Sequence, residues 1–358
     1  MKKIIFLTLR WQEVGGYHSY VRHLYQGINF SNSDWLATVG YCNLSGREKK
    51  KKLDPDFQPL AIGVGDKLIM ASRKFLEIFD VIHLFHLPYQ IERKQGLKEK
   101  FYRILDFKKP LFVTIHDPAE EKSMPYGIRY LKERKNTFFF FVGEMSKNYF
   151  EKHHGFMGKV IKHPYFPSNK NSNLIEKENL AINTSRIDFD KYIHLILEAI
   201  PEIKGKVRFF SGYKNPFYYW HYCRNKIEKY WIQQGFQPSE SELSRIYSKA
   251  KVLIDMSKIQ NDGNRTQYPL LEAMDFQAVP ILRKGWFQNN PDFKIEENFL
   301  EAETPKEIAE QTNRVFNDEK LRIKIVKKNQ ELLKSYDAKL IAKKYTDTYE
   351  TVLGLKGE

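Results

Sequence analysis

The sequence predicts an α/β protein of two doubly wound halves, each a parallel sheet flanked by helices, with a ligand cleft between them. Three observations carry that prediction. Short apolar runs alternate with amphipathic stretches along the chain, the pattern of βαβ units. A segment rich in Pro, Ser and Asn at 164–173 separates two such series. The length of 358 residues suits two domains, and 42% hydrophobic residues suffice for two cores.

In the first series the strand-like runs are Lys3–Leu9, Trp35–Tyr41, Val81–Phe85, Leu111–Ile115 and Thr137–Val142. Helical spacing places helices at Tyr17–Ile28, Lys67–Ile78 and Ile128–Lys135. The second series reads as strands Leu180–Thr184, Val207–Ser211, Val252–Asp255 and Val279–Leu282. Its helices are Tyr192–Ile200, Tyr218–Lys229, Glu240–Lys249 and Leu270–Phe276. From Pro305 to about Leu353 the chain is helical, interrupted at Asn317-Asp318. The expected domains are 1–168 and 174–336, with 337–358 as a closing helix.

Several function classes are disfavoured. The only cysteines, Cys42 and Cys223, are far apart, with no C-x-x-C and no Cys/His cluster, so neither a structural zinc site nor an oxidising compartment is indicated. The longest apolar runs are too short to span a bilayer, and the apolar stretch near Met1 ends at Arg10 without a cleavage site. A cytoplasmic protein is expected. No G-x-x-x-x-G-K-[ST], G-x-G-x-x-G or Ser-His-Asp order occurs, which disfavours P-loop, nicotinamide and serine-hydrolase chemistry.

The net charge of +15 is unevenly spread. Residues 1–165 carry 28 Lys+Arg against 17 Asp+Glu, a net +11, and residues 166–358 carry 31 against 27, a net +4. A basic half suits a polyanionic partner such as nucleic acid, an anionic membrane or an acidic glycan. Candidates for backbone contacts are Lys49, Lys50, Lys51, Arg93, Lys94, Lys98 and Arg103, each of which serves equally well as a solvated surface charge.

Ligands of doubly wound sheets bind beyond the carboxyl ends of the strands, so residues just after strands carry most information. Gly15-Gly16 precede a helix and let backbone approach an anion at its N-terminus, although a plain turn explains them too. His116-Asp117 follow a strand, where a histidine bonds a sugar hydroxyl or handles a proton; the alternative is a structural histidine. His83 and His86 have poor spacing for a shared metal and no third ligand nearby. Arg186 and Lys191, five residues apart in a loop entering a helix, can clamp a pyrophosphate. Asp188 and Asp190 between them could hold a divalent metal, but offsetting the neighbouring cations is the preferred reading. The densest segment runs from Ile254 to Val279. It offers Asp262, Asn264, Thr266, Gln267 and Tyr268 before a helix, free amides at Gln267, Tyr268 and Leu270, and Glu272 in the first turn, suited to a vicinal diol such as ribose.

Along nearly its whole length the chain resembles the retaining family 4 glycosyltransferases, which have the GT-B architecture of two Rossmann-like domains, an interdomain cleft and a final helix crossing back to the first domain. VGGYHSYVRHLYQGI is similar to that family's Gly-Gly loop and first helix, and DVIHLFHLP and PLFVTIHDPAEE resemble its His-bearing strand ends. TSRIDFDK resembles its Arg-x4-Lys clamp, SESELSRIYSKAKVLIDMS its E-L-x3-Y-x2-A-x-V-x4-S segment, and YPLLEAMDFQAVPIL its Glu-bearing helix. The end of the chain, NDEKLRIKI through KKYTDTYETVL, looks like the family's closing helices.

The resemblance implies a sugar transferase without a required cofactor or metal. Its donor is a nucleotide sugar, UDP-glucose or another UDP-sugar. Arg186 and Lys191 would hold the diphosphate, with Gly15 and Gly16 approaching from the other domain. Glu272 would bind ribose, the backbone at Gln267–Leu270 would add phosphate or sugar contacts, and His116 with Asp117 would face the donor sugar. The family's second acidic residue, eight positions before Glu272, is replaced by Asn264, with Asp262 two residues earlier, and Gln277 and Ala278 stand where small residues and Gly are usual. Phage α-glucosyltransferases that modify hydroxymethylcytosine in DNA also lack that acid, and Gln267-Tyr268-Pro269-Leu270-Leu271-Glu272 is similar to their segment. This points to DNA as acceptor, in a host cytoplasm. The alternative is an envelope enzyme using a lipid-linked or lipopolysaccharide acceptor at the membrane face, for which Lys98–Lys109 offers an amphipathic stretch.

Overall fold

The computed structural model describes residues 1–8, 16–31, 34–43, 60–63, 74–85, 102, 105–116, 125–167, 176–210, 215–230, 240–258, 266–287 and 290–355. The chain divides into two compact units, Met1–Phe166 with Tyr336–Glu358, and Pro167–Ser335.

The first unit runs β1 (Lys2–Thr8), α1 (Gly16–Asn29), β2 (Trp35–Asn43), β3 (Leu60–Gly63), β4 (Val81–Phe85), β5 (Leu111–Ile115), α2 (Pro125–Glu133), β6 (Thr137–Phe141), α3 (Glu144–His154) and β7 (Gly158–Val160). Its strands pair in parallel in the order β3-β2-β1-β4-β5-β6-β7. Every residue of β4 and β5 is buried, as is Ile4–Thr8 of β1, because helices cover both faces of a parallel sheet. This explains why these strands read as unbroken apolar runs rather than alternating ones.

The second unit runs β8 (Glu178–Asn183), α4 (Ile193–Ala199), β9 (Lys206–Phe209), α5 (Glu240–Lys249), β10 (Ala250–Asp255), α6 (Tyr268–Asp275), β11 (Val279–Arg283), β12 (Leu300–Ala302), α7 (Pro305–Asn317) and α8 (Glu319–Leu333). Its parallel sheet has the order β12-β11-β10-β8-β9. The chain then returns to the first unit as α9 (Ala338–Val352).

The helical breaks have local causes. Thr304 and Glu307 form a reciprocal capping box around Pro305, Asp318 caps α8 through the Leu321 amide, and Asp337 caps α9 through the Lys339 and Leu340 amides. Elements that the pattern does not reveal are short or weakly apolar. β3, β7 and β12 have three or four residues, and α3 buries only Ser146 and Phe150.

Two expectations need correction. The helix expected over Tyr218–Lys229 is broken: Pro216–Tyr218 is α-helical, Tyr219–Cys223 is a π-turn, Arg224–Ile227 is α-helical again and Glu228–Tyr230 is 3-10. The expected linker does not start at Pro164, because Tyr165 is bound on both sides. Its amide donates to the Tyr336 carbonyl at 2.7 Å, and its carbonyl accepts from Ala338 at 2.8 Å. Of the helix expected at Lys67–Ile78, Lys74–Leu76 is helical and 64–73 lies outside the described residues.

α1 and α9 pack unusually close at Gly27. A Cβ built there would lie 2.3 Å from the Ala338 carbonyl oxygen. That neighbour is backbone at the capped start of α9 and cannot rotate away. Gly27→Ala is therefore expected to lower stability by about 1–3 kcal/mol, read as a fall in unfolding temperature in a thermal scan. An unchanged midpoint would mean that α9 yields without cost.

Candidate active site

In the second sheet the direction of winding reverses between β8 and β10, and this switch point is where ligands of such sheets bind. The loop after β8 carries Arg186 and Lys191. Asn183, at the end of β8, donates to the Ile254 carbonyl at 2.8 Å and accepts from the Ser185 amide at 3.2 Å, tying the loop to β10. The next loop is tied as well, through Lys258 N–H to the Asp190 carbonyl at 2.6 Å.

Lys191 is the better-fixed cation. Its Nζ donates to Ser257 Oγ at 2.8 Å and only 12% of its side chain is exposed. Ser257 in turn donates to the buried Asp255 through its hydroxyl and, at 2.9 Å, through its amide, and Ser185 Oγ reaches the other carboxylate oxygen at 3.3 Å. Three donors thus satisfy a buried carboxylate, and the carboxylate orients the serine that holds the lysine.

Arg186 is different. Its Nε donates to Asp188 at 3.3 Å and its Nη2 to Asp190 at 2.6 Å, with 49% of the side chain exposed. Asp188 also accepts from the Phe189 amide and from Asn215 Nδ2. Both aspartates are therefore engaged in arranging the arginine and the turn. Ion pairs this exposed are worth about 0–1 kcal/mol, so a diphosphate can compete for Arg186 by rotation of its side chain. Among the described residues no group of three His, Cys, Asp or Glu is placed to hold a metal ion.

Glu272 lies half-buried on α6, in the second turn rather than the first, because the helix begins at Tyr268, one residue before Pro269. The Leu270 amide expected to be free donates to the Gln267 carbonyl at 3.0 Å, closing the first turn. Thr266 and Tyr268 are buried, and Gln267 is partly exposed as the N-cap. Gln277, two residues past α6, is buried with φ 61°, the left-handed backbone that a glycine adopts freely.

Tyr247 on α5 was given no role from sequence, yet it joins these pieces. Its hydroxyl lies 3.0 Å from Thr184 Oγ1 and 3.3 Å from the Pro269 carbonyl, bridging the end of β8 to the start of α6. Burial, with the neighbouring Glu272 carboxylate, pushes that hydroxyl well above the usual tyrosine range, so it stays a proton donor. Ser257 was missed in the same way. Both occupy the Tyr and Ser positions of the E-L-x3-Y-x2-A-x-V-x4-S segment, which was the signal available.

In the first unit His116 follows β5 and is half-buried, and its carbonyl accepts from Ser146 Oγ at 3.2 Å. Its ring meets the edge of Tyr20 of α1 at 5.1 Å, so the start of α1, with Gly16, and the end of β5 share the carboxyl edge of that sheet. His83 is not at a strand end. It is fully buried in mid-β4, bonded to Tyr349 at 2.6 Å and Thr114 at 2.8 Å. His86, Gly15, Asp117, Asp262, Asn264, Lys49, Lys50, Lys51, Arg93, Lys94, Lys98 and Arg103 lie outside the described residues. A shallow groove bordered by Asp34, Trp35, Lys343 and Glu350 sits at the start of β2, the opposite edge from His116.

Comparison with solved structures matches both units. An α-glucosyltransferase in complex with UDP superposes with a TM-score of 0.76 at 14% identity, covering 98% of this chain and 100% of that one. The chain has the GT-B fold. HepE from Anabaena, in complex with UDP and glucose, gives 0.70 at 13% identity over 98% and 100% of the two chains. Sucrose-phosphate synthase from Thermosynechococcus elongatus gives 0.69 at 15% identity over 99% and 100%. No protein-family model and no curated protein matches the sequence. Among the described residues no helix is long and apolar enough to cross a membrane.

Proposed function

We propose that this GT-B chain is a retaining glycosyltransferase that moves glucose or another sugar from a UDP-sugar to a hydroxymethylated pyrimidine in DNA. The observation that carries the donor half is Lys191, fixed by Ser257 and Asp255 at the switch point of the second sheet, with Arg186 beside it. Two cations at a strand end stabilise the charge that develops on a departing diphosphate, and they do so without a metal. Glu272 accepts from the ribose diol, while Thr266, Gln267 and Tyr268, with Asp262 and Asn264, contact phosphate or sugar. Gly15 and Gly16 approach the phosphate, and His116 with Asp117 orients the donor sugar. Structures similar to this chain were solved with UDP, with UDP-glucose and with DNA, which supports the same donor and acceptor here.

The transfer balances without a protein nucleophile. The bond from sugar C1 to the diphosphate oxygen breaks, and the bond from C1 to the acceptor oxygen forms on the same face. The departing phosphate takes the acceptor's proton. The net +11 of residues 1–165 supports a polyanionic acceptor, with Lys49, Lys50, Lys51, Arg93, Lys94, Lys98 and Arg103 on phosphates. The modified base must leave the stack to be reached.

The test is transfer from radiolabelled UDP-glucose to duplex DNA containing 5-hydroxymethylcytosine, with unmodified duplex and a bacterial lipid and glycan extract in parallel. Label is expected on the modified duplex alone and is expected to survive EDTA. Label only in the extract would replace DNA by an envelope acceptor. Label in none, together with no UDP binding by calorimetry, would remove the transferase reading.

A further inference from the structure

The second unit carries an exposed aromatic surface that the donor site does not use. Phe189, Phe217, Trp220 and Tyr222 are each 46–58% exposed, and the only other Phe, Tyr or Trp among the described residues that is as exposed is Phe30 of the first unit. Three of the four lie together, and Trp220 stands beside them in the same turn. Phe189 stacks on Phe217 at 5.9 Å and meets Tyr222 at 6.1 Å, and Arg224 lies over the Trp220 ring at 3.9 Å. The π-turn over Tyr219–Cys223 turns Tyr219 and Cys223 into the core and leaves Trp220, His221 and Tyr222 outside. Such turns cost regular hydrogen bonding and recur at functional sites.

The surface is continuous with the clamp. Phe189 is itself within the Arg186–Lys191 loop, and the Asn215 amide donates to the Ile187 carbonyl at 2.7 Å. Its charge is mainly positive. Arg224, Lys226 and Lys229 are exposed in this segment, and of the two acids beside them Glu228 accepts the Tyr219 hydroxyl at 2.8 Å and Glu198 lies 3.9 Å from Lys226. Planar faces interleaved with cations fit a ligand that offers both π-faces and phosphates, which is nucleic acid with unpaired bases.

We infer that this face of the second unit is a nucleic-acid contact surface, which stacks unpaired bases of the acceptor strand on Trp220, Tyr222 and Phe217 while Arg224, Lys226 and Lys229 pair with phosphates. The inference rests on the DNA-acceptor reading and extends it. The basic residues of the first unit supply charge, whereas this surface supplies ring faces. An enzyme that takes a base out of the duplex creates unpaired neighbours, and these are what the rings would hold.

The test measures binding of the full chain to a labelled single strand of about 12 nucleotides and to the modified duplex, by fluorescence anisotropy at fixed salt. Trp220→Ala/Tyr222→Ala is expected to weaken single-strand binding by about 10- to 100-fold. Trp220→Phe, which keeps a ring, should stay within about twofold of wild type. UDP calorimetry and the thermal midpoint, both expected to be unchanged, show that the double variant is folded. If wild type binds the modified duplex and the double variant binds both DNAs equally well, this inference falls and the acceptor reading stands. If wild type binds no DNA, both fall. If the double variant loses binding to phosphatidylserine vesicles but keeps DNA binding, the surface is a membrane contact and the inference is overturned.

Discussion

Lys191→Ala is expected to lower sugar transfer from UDP-glucose by roughly 100- to 1,000-fold, the usual effect of removing one fixed charge-stabilising donor. The magnitude follows from how the lysine is held. Its ammonium sits on Ser257, and Ser257 is oriented by the buried Asp255, so the charge is in place before the diphosphate departs. A preorganised cation stabilises the transition state more than the ground state, so the loss should fall on kcat more than on KM. Arg186→Ala should behave differently. Arg186 is half-exposed and already satisfied by Asp188 and Asp190, so it contributes mainly to donor binding, with a KM rise of about 10-fold. Lys191→Arg should not rescue, because the fork of a guanidinium does not fit the position of a compact ammonium. Steady-state kinetics with UDP-glucose measure all three. Equal activity of Lys191→Ala and wild type would show that the leaving group is stabilised elsewhere.

Stability is expected to fall steeply as pH drops below about 6.5, with His23 and His83 as the cause. His23 is buried, accepts the Phe166 amide at 3.1 Å and has its pKa lowered to about 3, chiefly by burial and then by Arg22. His83 is pushed well below its usual range by burial and then by His116. Both are neutral in the folded chain and protonate readily once unfolded. The unfolded state therefore binds more protons below about 6.5, and stability is lost as pH falls. Each histidine contributes about 1.4 kcal/mol per pH unit, until the folded-state pKa is reached, near 3 for His23.

His83 also anchors a buried network, in which Tyr349 and Thr114 bond its two nitrogens and Tyr345 meets Tyr20 at 2.6 Å. Phe85 stacks on its ring at 4.1 Å. His83→Leu leaves the Tyr349 and Thr114 hydroxyls short of a partner, at a cost of about 1–3 kcal/mol near neutral pH. The same variant should flatten the acid slope. Urea unfolding at a series of pH values between 7 and 4 tests both effects, and a slope identical to wild type would assign the acid sensitivity to other groups. Because the Tyr20 ring also packs on His116, this network reaches the strand end that bears the proposed sugar-binding histidine.

Legibility differed by residue. Arg186 and Lys191 were readable because both lie in one loop, five positions apart, immediately after an apolar run. What each does was not readable, since exposure and partners separate them. Asp188 and Asp190 looked equally suited to a metal or to charge balance, and their bonds to Arg186 arise from the turn that Asp188 caps. His83 stands inside an apolar run, and only the fold shows that Tyr349 and Thr114 take its two ring nitrogens.

The sequence by itself determined the alternation of strands and helices, the parallel α/β class and the segments that follow strands, because propensity and periodicity act over a few residues and are written locally. Only the tertiary structure decided that Tyr247 bridges β8 to α6, that Ser257 holds Lys191 and that Phe189 meets Phe217 and Tyr222 on one face of the second unit. Each of these joins residues distant in sequence. Such contacts depend on packing energy summed over the folded chain rather than on the preference of any single segment.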